Sequence, residues 1–173
     1  MAKITIENVL TAVRKLRAMS PSERVALADE IFERQPILMD SCLLQHGAGV
    51  ANGGLEHTTD ILLVCFQSMK ESGFEWPRIP EDEQQRQLTR VMTTIELSKR
   101  LADPDLPGGV TQQYLISHPE QPLLTDVLEE SNSWLQQIGA RKTEAESDQQ
   151  VLMACINFVN CIAYTEAKAS TKS

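Results

Sequence analysis

Apolar side chains recur along most of the chain three and four residues apart, the spacing that places them on one face of a helix. Eight segments have this pattern, whereas no segment of appreciable length alternates between apolar and polar residues as a strand would. The predicted helices cover approximately residues 5–18, 21–35, 36–45, 55–72, 81–102, 111–117, 123–138 and 145–168. The sequence therefore predicts an all-α, roughly eight-helix globular bundle without strands.

The first two helices carry the clearest local signals. Ser20, Pro21 and Glu23 have the pattern of a capping box, in which the serine hydroxyl and the glutamate carboxylate each accept a backbone N–H at the start of a helix. This pattern predicts that the second helix begins at Pro21. The residues of these two helices that we expect to face the core are Ile6, Val9, Leu10, Val13, Leu16, Val25, Ala28, Ile31 and Phe32.

The fourth and eighth helices are predicted to lie at the centre of the bundle. Residues 61–66 (ILLVCF) are apolar on every side, and residues 151–162 present two apolar faces, so both helices should be surrounded by others. The glycine-rich residues 47–54 are predicted to form a connecting loop. They lack both nucleotide-binding glycine patterns and follow a helix rather than a strand, so they do not indicate a phosphate site.

A connector that contains two prolines, residues 74–80, divides the predicted helices into two groups. Residues 1–73 form an N-terminal helical half and residues 81–168 a C-terminal helical half, within one compact domain. The tail, residues 169–173, is expected to fray.

A short internal similarity supports this division. Residues 35–40 (QPILMD) resemble residues 121–126 (QPLLTD) at an offset of 86 (121 − 35), and matching Cys65 with Cys155 gives 90 (155 − 65). Two interpretations remain open: a pair of pseudo-repeated four-helix halves, or a chance match, since such a start suits any helix that has proline at its first position.

Composition adds that the chain is acidic, with 24 aspartates and glutamates, 16 lysines and arginines, and a net charge of −8. Nucleic acids and anionic membranes are also negative, so we expect no binding to either. The longest apolar run, residues 61–66, is too short to cross a bilayer. Thirteen acids and six bases fall in residues 80–150, which indicates a solvated face or a docking surface for a basic partner.

The cysteines are predicted to be buried, free thiols. Cys42, Cys65, Cys155 and Cys161 each lie in an apolar helical run, and none belongs to a C-x-x-C pair. The first residues lead directly into an amphipathic pattern rather than a signal peptide. We therefore expect a cytoplasmic protein.

Histidines and acids offer the only candidates for metal binding or acid–base chemistry. His57 and Asp60 share a helical face, with Glu56 nearby, but the chain has neither H-E-x-x-H nor E-x-x-H. N-capping and surface polarity are favoured for these residues, so no metal site, cofactor or catalytic residue is predicted. His46, beside glycine, and His118, before proline, are predicted at loop edges.

Trp76 and Trp134 are the candidate interface residues, since aromatic side chains often anchor interfaces. The alternative for Trp76 is that it pins the connector to the body, and for Trp134 it is burial in the core. We expect a non-enzymatic helical adaptor that binds another protein or itself, with a homodimer as the default. A small-ligand or cofactor binder with an apolar pocket between the halves is the alternative, followed by an enzyme that uses His57 and Asp60.

Overall fold

The computed structural model describes residues 1–47, 49–100, 109–138 and 145–170. Within these ranges the chain forms eight helices, which confirms the all-α prediction. They are α1 Ile6–Ala18, α2 Pro21–Arg34, α3 Pro36–Gly47, α4 Asn52–Glu71, α5 Glu81–Arg100, α6 Gly109–Ser117, α7 Gln121–Ile138 and α8 Ala145–Tyr164. None of the helices in these ranges combines the length and the apolar character that spanning a membrane requires.

Capping boxes start the first two helices. At α2, the Ser20 hydroxyl accepts the N–H of Glu23 at 3.3 Å, and the Glu23 carboxylate accepts the N–H of Ser20 at 2.6 Å, as predicted. At α1, Thr5 and Asn8 make the equivalent pair. The sequence pattern missed this second box because asparagine takes the place of the usual glutamate or glutamine. The end predicted at residue 102 for the helix that begins at Glu81 lies outside the described residues.

Two short strands are an exception to the prediction that strands are absent. β1, Phe74–Glu75, pairs antiparallel with β2, Lys168–Ala169. Two residues are too few to show an alternating pattern, so the sequence carried no signal for them. Ala169, where fraying was expected to begin, pairs with Phe74, whereas residues 171–173 lie outside the described part of the chain.

α4 and α8 pack against each other at the centre of the molecule. α4 also contacts α1, α3 and α7, and α8 also contacts α3, α5 and α7. The side chains at their contact surfaces are nearly inaccessible; they include Leu62, Cys65, Cys155, Phe158 and Val159. This arrangement agrees with the central position predicted for the two helices.

The prediction that Ile6, Leu10, Val25 and Phe32 face the core is wrong, since all four side chains are exposed. α1 packs on α4 and α7 through a narrower stripe that includes the small residue Ala12. A periodic pattern identifies every apolar residue on one side of a helix, but the number of neighbouring helices decides how wide a stripe is buried.

The glycine-rich segment is shorter as a loop than predicted, because α4 begins at Asn52 and includes Gly53 and Gly54. A Cβ atom added at Gly54 would lie 2.7 Å from Val50 Cγ1 and 2.9 Å from Val151 Cγ2, whereas nothing lies within 4 Å of one added at Gly53. Gly54 therefore permits the close approach of α4 and α8.

Candidate functional site

A cavity of about 180 Å³ lies where α1, α4 and α7 meet, and we call it the His57 groove. The residues that define it are Val13 and Arg17 of α1, His57, Asp60 and Val64 of α4, and Glu130 of α7. Three of the four predicted site residues meet here, because His57 and Asp60 line the groove and Trp134 packs on His57.

The imidazole of His57 is held from two sides. Its ring stacks on that of Trp134, with centroids 4.8 Å apart and planes 4° apart, and its Nε2 lies 3.0 Å from the Ser131 hydroxyl. Burial lowers the pKa of His57, and the nearby Asp60 raises it by less, so the ring is neutral at pH 7. His57 does not cap α4, because the N-cap residue is Ala51.

Asp60 is exposed and turns toward Arg24 of α2, whose guanidinium lies 3.3 Å from the carboxylate. A pair this exposed contributes at most about 1 kcal/mol to the free energy of folding. Within the described ranges, no group of three or more histidine, cysteine or acidic side chains is arranged to hold a metal ion. His57 and Asp60 therefore share the groove without forming a joint site.

Asp126 lies on α7 one turn before Glu130, a residue that lines the groove, and the sequence analysis did not identify Asp126. Burial, followed by Glu130 and Glu129, raises the pKa of Asp126 to about 6, while Arg17 acts in the opposite direction. Its Oδ2 atom is buried without a hydrogen-bond partner. An unpaired carboxylate oxygen is unfavourable unless a cation or donor reaches it. In sequence, Asp126 looked like an ordinary polar residue of an amphipathic helix.

The hydroxyl and thiol groups beneath the groove are unsuited to nucleophilic chemistry. Ser131 is buried, and burial raises the pKa of Cys155 to about 12 although Ser131 acts to lower it. Burial also raises the pKa of Cys42 and Cys161 to about 12 and that of Cys65 well above its usual value. All four cysteines are free and buried, as predicted, and thiols of high pKa are poor nucleophiles.

Trp76 lies away from the groove. It is only 8% exposed, and its indole N–H donates to the Ile162 carbonyl at 3.0 Å, so it holds the connector against α8. It also lines a cavity of about 420 Å³ near the C-terminal ends of α2 and α4, together with Phe66 and Phe74.

A third cavity, of about 220 Å³, lies between α3, α5 and α8, and we call it the amide groove. Side-chain amides and apolar groups line it, notably Gln45, Gln84, Gln150, Asn157, Leu44 and Leu88. None of these three cavities is lined by Cys65 or Cys155, which lie where α4 and α8 pack together between the two halves.

His118 ends α6 at a loop edge, as predicted, but it is buried. Its Nδ1 accepts the N–H of Glu120 at 3.1 Å, so the proton is on Nε2, which lies 2.9 Å from Asn160 Oδ1. The hydroxyl of Tyr114 donates to the same oxygen at 2.8 Å. Burial lowers the pKa of His118, and the neutral ring ties α6 to α8. The side chain of His46 lies outside the described part of the chain.

The His57 groove thus combines an apolar wall on α1 and α4 with two arginines and two acids, and the buried, unpaired Oδ2 of Asp126 lies on α7 one turn from Glu130. Comparisons of the chain with protein-family models, with curated proteins and with solved structures find no match in any of the three.

Proposed function

We propose that this protein binds another protein, and that an amphipathic helix of the partner lies along α1 with one apolar side chain in the His57 groove. The observation that carries the proposal is the exposure of Ile6 (67%) and Leu10 (53%) on α1. Val13, which lines the groove, follows them at spacings of four and three residues on the same helical face. An apolar ridge that leads into a cavity suits the helix-in-groove mode of recognition.

The size of the groove supports a side chain as its occupant. Pockets for small molecules commonly measure roughly 300–1,000 Å³, and the His57 groove measures about 180 Å³. A single aliphatic or aromatic side chain suits this volume better than a cofactor does. A binding role is also favoured over an enzymatic one, since His57 Nε2 is engaged by the buried Ser131 and Asp60 by Arg24.

The charges that line the groove are balanced between two arginines and two acids, so the acids of α7 indicate which partner it would accept. Asp126, Glu129 and Glu130 lie together on α7, and the two glutamates raise the pKa of Asp126. A lysine or arginine beside the partner's apolar anchor would relieve the repulsion among these acids. A second copy of this chain, with its net charge of −8, is a poorer match than a basic protein.

The proposal places the protein in the cytoplasm. All four cysteines are free, and free thiols are typical of reducing compartments. Their burial leaves them no part in binding.

The test replaces Leu10 with the photo-crosslinking residue p-benzoylphenylalanine in the full chain, inside the cells that produce it. Gln85, exposed on α5, serves as the control position. We expect a crosslinked adduct of defined mass from position 10 and none from position 85. Because Val13 lines the groove, Val13→Glu should abolish the adduct.

The partner is then identified by mass spectrometry and purified, and its affinity is measured by calorimetry. Leu10→Glu, at an exposed position that the fold tolerates, should raise Kd at least about tenfold, as expected for an interface anchor. An adduct with twice the mass of the chain would show self-association and overturn the assignment of a basic partner. An adduct that survives Val13→Glu would exclude the His57 groove.

A further inference from the structure

Most helix contacts of the N-terminal half recur between the helices four places later, the packing of α2 on α4 being an exception. α1 packs on α4 as α5 packs on α8, α2 on α3 as α6 on α7, and α3 on α8 as α7 on α4. α4 and α8 are both 20 residues long, and the strands that follow them pair antiparallel. Exchanging the two halves leaves this set of contacts unchanged, which is the property of a twofold axis.

A buried polar side chain stands immediately before α3 and another before α7, and each holds the segment that enters the other half. Gln35, 2% exposed, accepts the N–H of Ile79 at 2.9 Å through Oε1. Glu120, 1% exposed, accepts the N–H of Ile4 at 2.9 Å through Oε2. Ile4 and Ile79 are both buried, and each lies two residues before its helix.

A basic side chain on α1, and one on α5, reaches the last residue of the central helix beneath it. Lys15 lies 2.6 Å from the carboxylate of Glu71, the end of α4, and the guanidinium of Arg90 lies 4.1 Å from the ring centroid of Tyr164, the end of α8. The offset of these bases (90 − 15 = 75) equals that of the two isoleucines (79 − 4 = 75). The helix ends differ by 93 (164 − 71).

The same offsets, applied to the residue numbers of the His57 groove, give residues of the amide groove. With 75 for α1, 93 for α4 and 85 for α7 (120 − 35, from the side chains before α3 and α7), residues that line one cavity map onto residues that line the other. The equivalent pairs are Val13 and Leu88, Val64 and Asn157, and Glu130 and Gln45. The two cavities therefore occupy equivalent places in the two halves.

The two grooves differ in charge. Arg17, Arg24, Asp60 and Glu130 line the His57 groove, whereas none of the residues that line the amide groove in the described ranges is charged. Leu44, at the edge of the amide groove, is 72% exposed. An uncharged groove beside an exposed leucine matches an apolar segment without charged flanks, because a charge brought there would lose water without gaining a partner.

We propose that the amide groove is a second docking groove, related to the His57 groove by an internal twofold axis between α4 and α8, and that it accepts an uncharged, apolar helical segment of a partner. The nature of its occupant rests on the proposed function, whereas the axis is argued from intramolecular contacts alone. Sequence matching gave an offset of 86 residues for α3 and α7 and of 90 residues for α4 and α8. The contacts related by the axis give 85 and 93 instead.

The axis is tested by circular permutation. The strand pairing maps Trp76 onto Ser170 (170 − 76 = 94), and two residues separate Trp76 from Ile79, the equivalent of Ile4. Ser170 should therefore join Ile4 through two residues, Thr171 and Lys3, when new ends are placed within residues 101–108. We expect this permutant to fold with the helical content of the wild type and to unfold in one cooperative transition. A second permutant joins the same residues through a long Gly-Ser linker. If the permutant with the two-residue junction does not fold, the axis is overturned, whether or not the permutant with the long linker folds.

The occupant is tested with two amphipathic helical peptides that share a leucine face, one flanked by glutamine and one by lysine. Each is titrated into the ¹⁵N-labelled full chain. The glutamine-flanked peptide should shift the amide signals of Leu44, Leu88 and Met153 independently of salt, and Leu44→Glu should remove these shifts. Shifts that are absent there, or that persist in Leu44→Glu, would overturn the proposal. If the lysine-flanked peptide does not shift the amide signals of Val13 and Val64 while the glutamine-flanked peptide behaves as expected, the proposed function is wrong. The proposal that the amide groove binds an uncharged segment is then retained.

Discussion

The His57 groove and the amide groove are built from equivalent helices, yet the two equivalent polar residues Ser41 and Asp126 are satisfied to different degrees. At the amide groove, the Ser41 hydroxyl donates to the Ile37 carbonyl at 2.9 Å and accepts from Gln84 Nε2 at 2.8 Å. The equivalent residue at the His57 groove is Asp126 (126 − 41 = 85), whose Oδ2 has no partner. Folded proteins satisfy nearly all buried polar groups, so the unpaired Oδ2 of Asp126 is expected to lower stability, as is the unpaired Oε1 of Gln87 on α5.

The residues that hold the halves together differ in a second way, and removing them should have the largest effect. Glu120 accepts two backbone N–H groups, that of Lys3 at 3.0 Å, which is partly buried, and that of Ile4 at 2.9 Å, which is buried. Gln35 accepts one, from Ile79, and donates to the Pro77 carbonyl. Because the carboxylate makes stronger bonds, we expect Glu120→Ala to lower the unfolding free energy by about 3 kcal/mol and Gln35→Ala by about 2 kcal/mol.

Urea denaturation measures both values. Gln121→Ala, at the exposed position beside Glu120, is the control and should change the unfolding free energy by less than about 0.5 kcal/mol. If Gln35→Ala lowers the unfolding free energy more than Glu120→Ala does, the hydrogen bonds of the carboxylate are not the stronger ones, and the explanation is wrong.

The close approach at Gly54 is a feature of one half only, since the equivalent residue on α8 is Ser147 (147 − 54 = 93). We expect Gly54→Ala to lower the unfolding free energy by about 2 kcal/mol, because the added Cβ would overlap Val50 and Val151. Gly53→Ala, one residue away in open space, should leave it unchanged or raise it slightly, because alanine favours the helix. Thermal unfolding of both variants gives the comparison, and equal effects would exclude steric overlap as the cause.

The features that the sequence predicted correctly depend on local chemistry. Ser20 and Glu23 cap α2 through contacts three residues apart, so the capping pattern was enough to place the start of the helix. The apolar surroundings of Cys65 and Cys155 likewise indicated that α4 and α8 lie at the centre. Such signals are complete within one helix, and no knowledge of its neighbours is needed.

The features that the sequence did not predict depend on residues far along the chain. Glu120 and Ile4 are 116 residues apart, and Gln35 and Ile79 are 44 apart, so nothing near either acceptor marks it as buried. Matching residue identities between the two halves also gave offsets that differ from those given by the contacts. Equivalent positions share burial and role rather than identity, as at Ser41 and Asp126.

Asp126 and Ser41 should respond to substitution with opposite signs. Asp126→Asn should raise the unfolding free energy at pH 7 by about 1 kcal/mol: a shift of about two pKa units corresponds to nearly 3 kcal/mol, but the side chain is partly exposed and water screens it. Ser41→Ala should lower it by about 1 kcal/mol, because Gln84 loses its acceptor.

The pH dependence separates this cause from a change in packing. A carboxyl whose pKa is raised on folding favours the folded state below its unfolded value of about 4, and this contribution is lost as the pH rises through about 6. The Asn variant should therefore gain over the wild type only as the pH rises through that window. A gain that stays constant from pH 4 to pH 8 would contradict the charge explanation.

The smallest effect is expected at His57, whose equivalent in the amide groove is Gln150 (150 − 57 = 93). His57→Gln keeps a hydrogen-bonding group for Ser131 but loses the stack on Trp134, so the unfolding free energy should fall by about 0.5 kcal/mol.

Burial lowers the pKa of His57. Its contribution is therefore present above the unfolded pKa of about 6.5 and is lost as the pH falls, and the glutamine variant should not show this loss. Denaturation at pH 5 and pH 8, with His57→Ala as the control that lacks both contacts, measures the difference. If the glutamine and alanine variants have the same unfolding free energy at both pH values, His57 and Gln150 are not exchangeable. If the glutamine variant is nearly as stable as the wild type at pH 8, the two residues are exchangeable, and Asp126 is the residue that distinguishes the two halves.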